Sequence, residues 1–299
     1  MKPTFLPLIR RYLVHPVEAF FAFLLYAFFR MLPLDVASAF GGWAARIVGP
    51  RLRLSRRAVN NLTRTFPDMP RAEVARIVRG MWDNLGRIAA EFPHLGEFSI
   101  YGEGSRVEVV GVEYVDRLRD DGLPGIFISA HIGNWEIISL AATQRGLPLD
   151  RVYREANNRL VEWLYRQGRA AVEGALIPKG AAGVRPLLKS LKDGHHLGML
   201  VDQKMNDGIS VPFLGRSAMT APALADFALK FDCAVVPARV VRLKGAHFRL
   251  IVQPPVDLPN TGDRHADIAA GMTMVNAIIE KWVLDAPEQW LWLHNRWPD

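Results

Sequence analysis

Two side chains able to do acid–base chemistry stand five positions apart in Gly125-Ile126-Phe127-Ile128-Ser129-Ala130-His131-Ile132-Gly133-Asn134-Trp135-Glu136. An imidazole takes up and releases protons near neutral pH. A carboxylate on one ring nitrogen fixes its tautomer and steadies the imidazolium that forms. On one continuous helix a five-residue step rotates by about 140°, and the two side chains would diverge. The pattern reads instead as a short buried strand, a turn, then a helix with Asn134 as N-cap and Glu136 in its first turn, where negative charge is favoured. Gly133 permits positive φ or close backbone approach. His131 then lies just outside the helix, and the spacing predicts a hydrogen bond between His131 and Glu136. The same spacing also describes a structural histidine beside a surface acid.

The chain contains no Gly-x-Ser-x-Gly elbow. A histidine base here would therefore act on a hydroxyl of the substrate itself, as in direct acyl transfer from a thioester without a covalent enzyme intermediate. The developing oxyanion needs a donor. Arg154, at the end of the next expected strand, is one candidate; a plain surface arginine is the other reading of it. No CxxC or HxxEH spacing occurs, so a structural zinc site is not expected, and the single cysteine, Cys233, sits in an apolar run as a small buried hydrophobe.

The elements that must position these groups alternate. Strands are expected at 107–110, 126–129, 151–154 and 196–201, with helices at 112–121, 134–144, 158–173, 184–192 and 222–231 between or after them. A hairpin of 234–243 with 248–252 is expected near the sheet edge, residues 204–220 read as a loop, and a last helix covers 268–284. Strand–helix alternation with short turns gives an α/β fold with a mixed, mostly parallel central sheet flanked by helices. Ligands of such sheets bind at the carboxyl ends of the strands. Asp202, with Gln203, falls at that edge, as His131 does.

The 299 residues are half hydrophobic and carry a net charge of +7. Residues 1–64 hold ten Lys/Arg against two acids, so the remainder is close to neutral. A basic end on a neutral body suggests a local anionic partner, the candidates being lipid head groups, nucleic acid or an acidic protein. Within that end, residues 19–29 are apolar with five Phe and no charge. Eleven residues fall short of the roughly 20 that span a bilayer, and a signal peptide fits poorly. A core helix and a helix dipped into a membrane face both remain open, the second favoured by flanking arginines that can reach phosphates. Residues 35–49 read as a second helix and 70–90 as an amphipathic one. Residues 1–50 are thus expected as an N-terminal membrane-associating helical segment and 51–299 as the catalytic domain.

His131-Ile132-Gly133-Asn134-Trp135-Glu136 resembles the His-x₄-Asp/Glu motif of the glycerolipid acyltransferase superfamily, and in its fuller form that of the bacterial lipid A late acyltransferases. Val152-Tyr153-Arg154 with Asn157-Asn158, Asp202-Gln203 with Val211-Pro212-Phe213-Leu214-Gly215, and Pro287-Glu288-Gln289-Trp290-Leu291-Trp292-Leu293-His294-Asn295-Arg296-Trp297 are similar to further blocks of that family, in its order. Asn295 stands where the family carries a basic residue. The resemblance implies an enzyme on the cytoplasmic face of the bacterial inner membrane that moves a fatty acyl group from acyl carrier protein to a hydroxyl of a membrane glycolipid, a lipid A precursor. It implies no cofactor, no metal and no nucleic acid partner. It carries over His131 and Glu136 as the catalytic pair, and Gly133, Asn134, Arg154, Asp202 and Gln203 as substrate-binding or oxyanion-stabilising groups. An acyl-CoA donor, another glycolipid or aminolipid acceptor, and a non-catalytic lipid carrier on the same fold stay open at this point.

Overall fold

The computed structural model describes residues 10–297. The start of the chain, with the basic Lys2, lies outside the described residues, as do the side chains of Arg10 and Arg11. Four helices come first: α1 (His15–Met31), α2 (Leu34–Val48), α3 (Ser55–Thr65) and α4 (Arg71–Glu91). The α/β body follows as β1 (Val107–Val110), α5 (Val112–Asp120), β2 (Gly125–Ser129), α6 (Glu136–Gln144), β3 (Leu149–Tyr153), α7 (Arg159–Gly168), β4 (Leu176–Pro178), α8 (Ala181–Lys192) and β5 (His196–Leu200). A hairpin of β6 (Ile209–Phe213) and β7 (Arg216–Thr220) is next, then α9 (Ala223–Phe231), β8 (Ala234–Lys244), β9 (His247–Val252) and α10 (Arg264–Asp285).

The central sheet runs β1-β9-β8-β2-β5-β3-β4. From β8 to β4 every neighbouring pair is parallel, while β9 is antiparallel to β8 and carries β1 parallel to itself. The expected mixed, mostly parallel sheet and the hairpin near its edge are both present, with β1 outside the hairpin as the edge strand. β2 is buried at all five positions, as a strand covered on both faces must be. Its side chains alternate: Ile126 and Ile128 join a core with Leu197, Leu187 and Val275, and Phe127 joins the opposite core with Ile137, Val236 and Phe248.

Residues 204–220 are not the expected loop, because β6 and β7 pair there. Leu214 and Gly215 both have positive φ, 49° and 71°, as the two central residues of a type I′ hairpin turn require. The buried positions Val211, Phe213, Ala218 and Thr220 carry the period of two. Helix α7 ends at Gly168, short of residue 173, and α10 begins at Arg264 because the Asp263 side chain accepts from the His265 and Ala266 N–H groups.

Helix α1 extends further toward the N-terminus than the eleven-residue apolar run. The helical stretch Tyr12–Met31 has 20 residues, is long and apolar enough to cross a membrane by length and composition, and is only 11% buried. It rests on α7 through the stacked rings of Phe23 and Trp163 (5.6 Å) and a hydrogen bond from Asn158 Nδ2 to the His15 carbonyl (2.7 Å). Val36, Phe40, Trp43 and Ile47 continue an exposed apolar surface along α2. The other side of α2 packs on α4 at backbone contact: a Cβ at Gly86 would lie 2.2 Å from the Gly41 carbonyl oxygen and 2.4 Å from the Ala45 methyl. Gly86→Ala is therefore expected to destabilise the protein by about 1–3 kcal/mol, read as a drop of several degrees in the midpoint of thermal unfolding.

Candidate active site

β2 and β5 are parallel neighbours with Ser129 opposite Leu200. Two residues beyond that pair stand His131 and Asp202, so the register alone brings them side by side at the carboxyl edge. The contact is double. His131 Nδ1 donates to Asp202 Oδ1 (2.8 Å), and the His131 backbone N–H donates to Oδ2 (2.9 Å). Oδ2 also accepts from the Trp290 indole N–H (2.8 Å). Asp202 is fully buried. Burial pushes its carboxyl up, but the charge and hydrogen bonds of His131, with His294 beside it, outweigh that and hold it well below the usual carboxylate range.

With Nδ1 donating to Asp202, Nε2 of His131 carries the lone pair. The Gln203 side-chain nitrogen lies 3.3 Å from it. Trp135 and His294 pack edge-on against the imidazole at centroid distances of 4.9 and 4.7 Å. His294 belongs to the C-terminal segment, which runs alongside the histidine loop: Ile132 bridges Trp290, the Leu291 N–H donates to the His131 carbonyl (3.1 Å) and the Gly133 N–H to the Gln289 carbonyl (3.2 Å). Burial pushes the His294 imidazole down to about 4. Its Nε2 faces Asp202 as well, 3.8 Å from Oδ2, while His131 holds the direct hydrogen bonds.

Glu136 occupies the expected place, in the first turn of α6 with His131 just before the helix. The expected hydrogen bond between them is absent among the described residues. Both Glu136 oxygens go to Arg169, at 2.8 and 2.5 Å. A permanently charged guanidinium that meets both oxygens outcompetes a neutral imidazole, and Asp202 already holds the imidazole. Burial raises the Glu136 carboxyl, and Arg169 more than reverses it, leaving the group below its ordinary 4.5.

The other sequence-derived site residues divide. Gly133 has φ +57°, and a Cβ there would lie 2.0 Å from the Val240 carbonyl oxygen, so glycine is required. Its N–H is committed to Gln289. The Asn134 amide donates to Glu91 Oε2 (2.9 Å) and its Oδ1 accepts from the Glu136 N–H (3.3 Å), so this residue caps α6 and faces inward. Neither group is aimed at an oxyanion; both shape the loop. Arg154 follows β3 at the same edge, exposed, with its charge near Lys179, and is not among the hydrogen-bond partners of His131 or Asp202. Sequence reasoning assigned no role to Trp290, His294 or Arg169. The first two lie in a block noted for its likeness to a family; the third carries no local signal.

Donor atoms of His131, Asp202 and His294 lie within 4.8 Å of one another, near enough to share an ion. Both Asp202 oxygens are already taken by N–H groups, however, and a shared ion would displace the bond that orients His131. The arrangement suits proton transfer at Nε2.

A buried aspartate bonded to a histidine whose Nε2 meets the Gln203 amide, at the carboxyl edge of a mostly parallel sheet, marks a candidate acid–base site in an α/β protein. Comparison with known proteins carries this further. The chain belongs to the family described as bacterial lipid A biosynthesis acyltransferase, which matches residues 9–299, and it is an acyltransferase. It is 26% identical over 263 residues to the lipid A biosynthesis lauroyltransferase of Escherichia coli (strain K12), covering 86% of this chain and 82% of that protein. It is 26% identical to the lipid A biosynthesis myristoyltransferase of the same strain, covering 80% and 73%. Against a lipid A biosynthesis acyltransferase of Haemophilus influenzae (strain ATCC 51907 / DSM 11121 / KW20 / Rd) identity is 27%, covering 80% and 76%.

The Glu136–Arg169 pair makes a pH prediction. A carboxyl whose folded pKa lies below its ordinary value contributes stability above that value and loses it as pH falls through the folded one. Glu136→Gln should cost about 3–5 kcal/mol at neutral pH, the usual effect of breaking a buried pair. The gap to the parent should close as pH is lowered below 4.5. Denaturant unfolding at both pH values measures it; a gap constant with pH would show that the charge contributes nothing.

Proposed function

We propose that the protein carries out late acylation in lipid A biosynthesis, moving a fatty acyl group from acyl carrier protein to a hydroxyl of a lipid A precursor. His131 Nε2 accepts the proton of the acceptor hydroxyl as that oxygen attacks the thioester carbonyl carbon. The tetrahedral intermediate collapses with loss of the carrier thiolate, which takes the proton back from the imidazolium. Asp202 holds the ring and stabilises its charged form. The observation that carries this reading is the Asp202–His131 bond, which leaves the Nε2 lone pair facing the Gln203 amide at the sheet's carboxyl edge, in a chain of this family.

Gln203 stands where the acceptor hydroxyl must arrive, and its amide N–H is the nearest side-chain donor for the oxyanion. Arg154, with Lys179, supplies positive charge at the same edge for an anionic part of donor or acceptor. Glu136 serves the reaction through Arg169, holding the start of α6.

The acceptor and product are lipids. Twelve acyl carbons are worth on the order of 9 kcal/mol of partition at ~0.8 per CH₂, so the enzyme must work at the bilayer. The exposed helix α1 and the exposed face of α2 support attachment there, with residues 1–50 as the membrane-associating segment and 51–299 as the acyltransferase domain. Exposed Arg53 and Arg56 follow that segment, each worth about 1 kcal/mol near anionic lipid. The cytoplasmic face of the inner membrane is the side on which acyl carrier protein is available.

His131→Ala and Asp202→Asn should each lower transfer of a labelled acyl chain by roughly 10²–10⁴-fold, with the carrier-linked donor preferred over the CoA-linked one. Undiminished transfer by the alanine variant would remove His131 from the chemistry, and equal rates with the two donors would remove the carrier preference. Deletion of residues 1–31 should move the protein from the membrane to the soluble fraction; retention on the membrane would place the anchor elsewhere.

A further inference from the structure

A second set of buried polar groups lies behind the histidine loop and touches neither His131 nor Asp202. Its centre is Glu91, the last residue of α4, with no exposed surface. Glu91 Oε1 accepts from Ser38 Oγ of α2 (2.6 Å) and Arg242 Nη1 of β8 (2.5 Å). Oε2 accepts from Arg242 Nη2 (3.0 Å) and from Asn134 Nδ2 of the histidine loop (2.9 Å). Arg242 in turn donates from Nε to Asn84 Oδ1 (2.9 Å). The Asn84 amide donates to the carbonyls of Gly133 (3.1 Å) and Gln289 (3.2 Å).

Three elements thus converge on the carboxylate of a fourth, and two links, one direct to Asn134 and one through Arg242 and Asn84 to Gly133, end on Gly133-Asn134. That dipeptide is where the chain turns from β2 into α6, at the positive φ of Gly133. A buried ion pair of this kind adds little to net stability compared with an apolar replacement. Its value lies in fixed geometry, since a guanidinium meeting two oxygens allows one arrangement. A shift of the turn moves His131 relative to Asp202, which is anchored on a different strand.

We propose that Glu91, clamped by Arg242, is a positioning residue for acyl transfer: it holds the Gly133-Asn134 turn, and through it His131, in register with Asp202. The proposal rests on the reading of His131 as the base. Glu91 meets no reacting atom, so its loss acts on kcat and leaves substrate binding alone. A displacement of about 1 Å in a catalytic group can cost on the order of 10²-fold.

The test combines kinetics with the proton NMR signal of the His131 Nδ1–H, which its bond to Asp202 moves far downfield. In Glu91→Gln, measured where circular dichroism shows it folded, kcat should fall about 10- to 100-fold with KM within about twofold, and the ring signal should shift or broaden. Glu91→Asp, which keeps the charge, should recover part of both. Asn134→Ala leaves the Glu91–Arg242 pair intact and cuts one link to the loop; it should change both readouts in the same direction, and it serves if Glu91→Gln does not fold. Unmoved ring signals and parental kcat in the folded variants would overturn the proposal, as would a rise in KM alone. The ring signal reports the position of His131 whatever the reaction. A moved signal with undiminished transfer would fault His131 as the base, and an unmoved signal faults Glu91.

Discussion

The site depends on one feature of sheet register. Parallel pairing of Ser129 with Leu200 places the residues two positions further on side by side, and they are His131 and Asp202. A carboxylate buried as deeply as Asp202 is costly unless its oxygens are satisfied. Three N–H groups do this: the His131 ring, the His131 backbone and the Trp290 indole. Two of the three come from the residue being oriented, so position and tautomer are set by the same contact. The third comes from the C-terminal segment, which must be in place before the carboxylate is fully satisfied. The end of the chain is thereby part of the site, and the neutral His294 beside the imidazole adds no competing charge.

That dependence explains what the sequence could and could not reveal. The carboxyl edge was readable because β2 and β5 are short apolar runs ending in polar residues, and both His131 and Asp202 fall where such strands end. The hairpin of β8 and β9 was readable from two β-branched runs separated by a turn. The pairing of β6 with β7 was hidden among glycines and a proline, Asn206 to Gly215, although its buried positions alternate. Helix α3 carries few apolar residues: Arg56, Arg57 and Arg64 are exposed, while Ala58 and Leu62 supply the buried stripe.

Glu136 shows the limit most clearly. Its place at the start of α6 followed from local rules, and its partner did not. Arg169 stands 33 residues away, just past the end of α7, and nothing in either sequence neighbourhood specifies their meeting. Asp202 is more distant in sequence and was still placed on the edge that holds His131, because both fall at the carboxyl ends of expected strands. Sheet topology can therefore be carried from sequence to site, whereas the meeting of two helix ends depends on packing. Glu91 and Arg242 belong to the second kind: each sits in an ordinary helical or strand pattern, and only the assembled fold shows them joined behind the loop.

The same edge also explains how the apolar helices relate to the chemistry. Asn158 caps helix α7 just beyond the carboxyl end of β3, and its side chain holds the His15 carbonyl at the start of α1. Helix α2 reaches the histidine loop through Ser38, Glu91 and Asn134. Both exposed apolar helices are thus fastened to loops on the edge that carries His131, and α1 is held at its other end by the His94 ring on the Phe29 carbonyl (2.8 Å). A lipid acceptor held in a bilayer by its acyl chains presents its hydroxyl at the surface, and under the proposed function it cannot travel far into the protein. On that proposal, an anchor fastened at this edge puts the base where that hydroxyl already is, and the distance the acceptor must leave the bilayer is set by the short loops between anchor and site, which are held by buried hydrogen bonds.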